Sequence, residues 1–105
     1  MRALAIATVV LLLTGSAALA VDDIDVQVEN FFVEPGTATV VLKITNNGTT
    51  TAPNVFVSCA FLDANQKAID IGKAWVTDLA PNRAAYDKAR IPTSKGVQFA
   101  TCSVD

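Results

Sequence analysis

The sequence predicts an all-β protein, a two-sheet sandwich of six to seven strands that follows an N-terminal export signal. Three observations predict it. Beyond residue 20, apolar residues alternate with polar ones in short runs, the period of a half-buried strand. Turn residues interrupt those runs at intervals of about 8–12 residues, the spacing of small β-sandwiches. No stretch in that region repeats apolar residues three and four apart over the roughly eleven residues an amphipathic helix requires.

Residues 1–20 read as a signal peptide. Met1-Arg2 is a short basic start, and Leu4 to Leu13 is apolar apart from Thr8. Small residues follow and end in Ala18-Leu19-Ala20, an A-x-A site that places cleavage before Val21. The apolar run is shorter than the roughly 20 residues of a membrane span. No cysteine follows it to carry a lipid, so no membrane anchor is expected after cleavage; an uncleaved interfacial helix is the alternative. Residues 21–105 would then form one domain that is exported, to the periplasm or beyond the cell.

The strands follow in order. Ile24, Val26 and Val28 alternate with Asp25, Gln27 and Glu29, and the run continues through Phe31-Phe32-Val33 to a turn at Glu34-Pro35-Gly36. In the second strand, Thr37 to Thr45, Ala38, Val40, Leu42 and Ile44 share one face. Asn46-Asn47-Gly48 ends it, and a loop runs on to Pro53. In the third, Val55, Val57, Cys59 and Phe61 point one way and Phe56, Ser58, Ala60 and Leu62 the other. After the turn Asp63 to Gln66, Ile69 to Thr77 forms the fourth strand and holds the single tryptophan, Trp75. A turn over Leu79 to Asn82 precedes a fifth strand, Arg83 to Ile91. Its alternation is poor, which suggests a bulge near Asp87. Pro92 to Gly96 turns into the last strand, Val97 to Val104.

Composition narrows the function classes. Cleavage would remove Arg2, leaving seven cations against ten acids. With no basic cluster and few aromatics, nothing points to nucleic acid. Two cysteines, Cys59 and Cys102, allow one intramolecular disulfide, which an oxidising compartment permits. The loop they would close is worth about 4 kcal/mol by chain entropy. Their spacing is not that of a local CxxC redox site; a mixed disulfide with another chain is the alternative.

From Ile44 to Tyr86 the chain resembles the FxLYD family of small bacterial immunoglobulin-like domains. Ile44-Thr45-Asn46 matches that family's apolar strand ending in an Asn-rich turn. Cys59-Ala60-Phe61-Leu62-Asp63 sits at the namesake block and keeps its Asp and its apolar character. Asp63 to Lys67 matches the D-x-N-G-K turn with Gln66 in place of glycine. Asp78-Leu79-Ala80-Pro81-Asn82 matches the LaPG piece with Asn82 in place of glycine, and Tyr86 takes the aromatic slot. Asn accepts the left-handed conformation better than most residues, which eases the departure at Asn82. The resemblance covers about residues 38 to 91. It implies an immunoglobulin-like sandwich with no catalytic residues. It also implies that the third and last strands are antiparallel neighbours, so that Cys59 lies beside Cys102 on the inner face.

Candidate chemistry is sparse. The sequence has no histidine, which removes the commonest general base, the usual triads and most zinc sites. Ser58, Ser94 and Ser103 lack an evident activating partner. Asp22, Asp23 and Asp25 read as a solvated start of the mature chain. The stretch Asp63 to Asp70 places Lys67 where a calcium loop needs an oxygen ligand. No cofactor, metal site or catalytic residue is therefore expected. Trp75 and Phe56 form a candidate contact patch, since aromatics anchor interfaces; core packing of Trp75 is the stronger expectation. These features predict a non-enzymatic binding or structural module with an envelope or extracellular protein as partner. The alternative is a small hydrolase working with carboxylates such as Asp63, Asp70 or Asp87, or an inhibitor of an envelope hydrolase.

Overall fold

A computed structural model describes residues 23–105. The expected cleavage residues Ala18, Ala20 and Val21 lie outside the described residues. The rest is all-β: β1 (Ile24–Glu34), β2 (Thr37–Asn46), β3 (Ala52–Leu62), β4 (Ala68–Leu79), β5 (Ala84–Ile91) and β6 (Phe99–Val104). They form two antiparallel three-stranded sheets, sheet A in the order β1-β2-β5 and sheet B in the order β4-β3-β6.

Period-two patterning sets what each sheet buries. Ala38, Val40, Leu42 and Ile44 of β2 are fully buried, as are Val57, Cys59 and Phe61 of β3. These residues belong to one apolar cluster that draws on both sheets, with Ala89 and Ile91 from β5 and Ala74, Val76 and Leu79 from β4. Phe31 of β1 meets Phe61 of β3, ring centroids 6.4 Å apart.

One expectation is corrected. The fifth strand has no bulge: β5 pairs with β2 in unbroken register from Ala38↔Ile91 to Thr45↔Ala84. Its inward positions are Ala85, Asp87, Ala89 and Ile91, the first three small or acidic where β4 comes close. Gly72 of β4 marks the approach. A Cβ at Gly72 would sit 3.1 Å from the Arg90 backbone nitrogen and oxygen. Asp87 also crosses the gap and accepts the Trp75 backbone N–H at 2.7 Å. Register shifts occur instead in β1, between Val28 and Asn30, and in β4, where Ile69 is skipped between the partners of Phe61 and Leu62. The first resets the inward face from Val28 to Phe31.

Asn46 holds the two sheets together at one end and is fully buried. Its side-chain amide donates to the carbonyls of Thr50 and Leu79, each at 2.9 Å, and its side-chain oxygen accepts the Gly48 N–H at 2.8 Å. Its backbone N–H donates to Arg83 O, and its backbone oxygen accepts the Asn82 N–H. Burying so polar a residue is tolerable only because its hydrogen-bonding groups find partners.

Candidate functional site

The disulfide joins Cys59 and Cys102, which face each other directly across the β3–β6 ladder. Their Cα atoms are 4.1 Å apart. That is slightly inside the usual disulfide range of about 4.4–6.8 Å, and it reflects the close spacing of a non-hydrogen-bonded antiparallel pair. Cys59 is fully buried and Cys102 partly so, on the inward face of sheet B. The bridge fixes β6 against the central strand, and so sets the third column of the outward face.

That outward face is built by register. Phe56 lies opposite Trp75, Ser58 opposite Lys73 and Ser103, and Ala60 opposite Ile71 and Thr101; Leu62 lies opposite Phe99. Trp75 is exposed rather than part of the core, at 56%, and Phe56 is exposed at 48%. The reason is parity: Ala74 and Val76 take the inward positions of β4, so Trp75 must point out. The two rings stack nearly parallel, 7° apart in plane with centroids 5.7 Å apart. The indole N–H donates to Asn54 Oδ1 at 3.2 Å, which fixes the ring's orientation. With exposed Ile71 and Phe99, the face carries apolar groups at both ends.

Between those ends runs a polar row that the sequence did not signal. Lys73 Nζ donates to Ser58 Oγ at 2.6 Å and to Asp105 Oδ2 at 3.2 Å, and the Ser58 hydroxyl donates to Asp105 Oδ1 at 2.5 Å. The Ser58 hydroxyl, and after it the Lys73 ammonium, hold the Asp105 carboxyl below its ordinary value. A lysine activates a serine hydroxyl as a base only when neutral, a state favoured by burial. Lys73 is exposed and ion-paired with Asp105, so it acts here as a donor. The three residues lie on β3, on β4 and just past β6, so only folding could bring them together.

The carboxylates considered for hydrolysis are engaged by backbone. Asp63 Oδ1 accepts the N–H groups of Asn65 and Lys67 in the β3–β4 turn. Asp70 accepts the Ile71 N–H, and Asp87 the Trp75 N–H. Among the described residues no group of three or more acidic or cysteine side chains gathers as a metal site would require. Comparison with protein-family models, curated proteins and solved structures finds no match for this chain.

Proposed function

We propose that residues 21–105 are a non-enzymatic, exported binding module of the immunoglobulin-like, FxLYD-type sandwich class. The outward face of sheet B is its contact surface. One observation carries the reading. Four of the eight exposed large apolar residues among the described residues, Trp75, Phe56, Ile71 and Phe99, gather on that single face. An apolar face left in water by a small protein marks a place where something else lands. Stacked aromatics held by a hydrogen bond supply the rigid anchor such contacts use. The disulfide supports export, because oxidising compartments are where such bridges persist. The partner is a protein of the envelope or the extracellular space.

Site-specific photo-crosslinking in the envelope fraction tests this. A benzophenone side chain is placed at Ile71 or, as a control of similar exposure, at Tyr86 on sheet A (56% and 61% exposed). A discrete adduct from position 71 and none from 86 is expected. Equal labelling from both faces, or none from position 71, would remove the reading.

A further inference from the structure

The loop between β2 and β3 holds a reactive pair, Asn47-Gly48, independent of the sheet B contact face. Of the asparagines in the chain, only Asn47 precedes a glycine. In an Asn-Gly pair the main chain most readily attacks its own side chain, because no Cβ on the glycine hinders the approach of its nitrogen to the asparagine Cγ. Asn47 is exposed, so solvent reaches its amide.

The fold restrains this chemistry. Gly48 is buried, and its N–H donates to Asn46 Oδ1 at 2.8 Å. That bond holds the proton that must leave before the nitrogen can attack. On the other side of the residue, the Asn47 N–H donates to Asp23 O at 2.7 Å. The main chain is tied on both sides of Asn47, which restrains the rotation that would carry the Gly48 nitrogen to Cγ. Asn46 is itself anchored. Its side-chain amide donates to Thr50 O and Leu79 O, and its main chain bonds Asn82 and Arg83. The acceptor therefore leaves Gly48 only when the corner that joins the two sheets opens as a unit, a local unfolding short of the global one.

We propose that Asn47 is a self-modifying site gated by Asn46: opening of this corner converts Asn47 to isoaspartate, and the closed corner prevents it. On opening, a solvent base takes the Gly48 N–H proton. The nitrogen forms a bond to Asn47 Cγ, the Cγ–Nδ2 bond breaks, and Nδ2 takes a proton from solvent and leaves as ammonia. A five-membered succinimide remains. One water then opens it. Attack on the former side-chain carbonyl gives aspartate, and attack on the main-chain carbonyl gives isoaspartate, in which the main chain runs through the side chain. No oxidant or reductant enters. The isoaspartate adds one carbon to the main chain between Asn46 and Gly48. It moves the Gly48 nitrogen out of register with Asn46 Oδ1 and sets a carboxylate beside the hub, so the corner cannot close as before. An opening of the sandwich is thereby recorded in a covalent bond.

The test incubates the disulfide-intact protein at neutral pH, native and in urea. Peptide maps follow the mass gain of amide turned to acid at residue 47, and labelling by an isoaspartyl methyltransferase identifies the product. Native protein should keep Asn47 intact over the time in which the denatured chain converts. Asn46→Ala, under conditions where amide exchange shows it folded, should convert about tenfold faster than the native protein or more, the factor that one buried hydrogen bond sets on a rate. Asn46→Asp keeps an oxygen for the Gly48 N–H while losing both donated bonds, and should convert more slowly than Asn46→Ala. Cys59→Ala/Cys102→Ala loses stability without touching the corner, and while folded should convert no faster than the native protein. The proposal is overturned if native protein converts as fast as the denatured chain, or if Asn46→Ala gains no speed. It is overturned equally if the cysteine variant or Asn46→Asp matches Asn46→Ala, since lost stability alone would then account for the rate.

Discussion

The two sheets bury similar inward faces and show the solvent different outward ones. On sheet A the outward rows are Gln27/Lys43/Tyr86, Asn30/Val41/Lys88 and Phe32/Thr39/Arg90, cations and amides around scattered apolar groups. On sheet B a stacked Phe56–Trp75 pair and an Ile71–Phe99 end flank one compact polar row. The contrast lies in what stands beside the exposed rings. On sheet A, Lys43, Lys88 and Arg90 stand among those apolar groups, one in each row. Sheet B commits its only outward lysine to Asp105 and Ser58, leaving its rings uncovered. The sheets also differ in how they are held: only sheet B carries a covalent tie.

That last difference gives the largest expected effect. Cys59→Ala/Cys102→Ala should cost about 2–4 kcal/mol in denaturant unfolding, a large share of a small domain's stability. In the native state, amide exchange should rise first in β6, with the β1-β2-β5 ladder still protected. An unchanged melting temperature, or loosening that begins in sheet A, would break the comparison. Asn46→Ala comes next. It leaves the Leu79 carbonyl and the Gly48 N–H without their buried partner, at a cost of about 2–3 kcal/mol. Because Asn46 touches both sheets, urea unfolding should show both destabilised together.

A smaller effect separates the two hairpins. The β1–β2 turn places glycine, Gly36, at φ +85°, whereas the β3–β4 turn places Gln66 at φ 64°. Gln66→Gly should therefore raise the unfolding free energy by about 1 kcal/mol, the left-handed penalty of a residue with a Cβ. Asn82→Gly, at φ 61°, should gain less, because Asn tolerates that region. The smallest effect is electrostatic. The lowered Asp105 carboxyl lends stability that is complete above its unfolded value of about 3.9 and is lost as pH falls through its lower folded value. In an acid melt, Asp105→Asn should flatten that limb below about pH 4 and leave neutral pH nearly unchanged.

Much of this was legible in the chain itself. Period-two patterning located all six strands and the inward sides of β2 and β3, because one buried face forces strict alternation. The cysteine count named the bridge. Two glycine-like turn positions, Gln66 and Asn82, were readable from the family resemblance, and both adopt positive φ. The fifth strand misled because its inward side chains serve an edge: Ala85 and Asp87 face a closely approaching β4, so small size and one acid replaced the usual apolar signal. Trp75 misled because residue type alone argues for burial, while strand parity sends it outward. The Ser58–Lys73–Asp105 row and the Asn46 hub join residues far apart in sequence, so no local pattern announces them.

The two outward faces differ in kind, and a matched pair of ring deletions puts that difference to the test. Trp75→Ser and Tyr86→Ser are compared for adduct yield from a crosslinker at Ile71 in the envelope fraction, with the melting temperature of each variant as control. Trp75→Ser should lower the yield by about tenfold or more, the loss of one aromatic anchor, while Tyr86→Ser leaves it within about twofold and both fold normally. Equal yields from the two variants, or a greater loss from Tyr86→Ser, would contradict it.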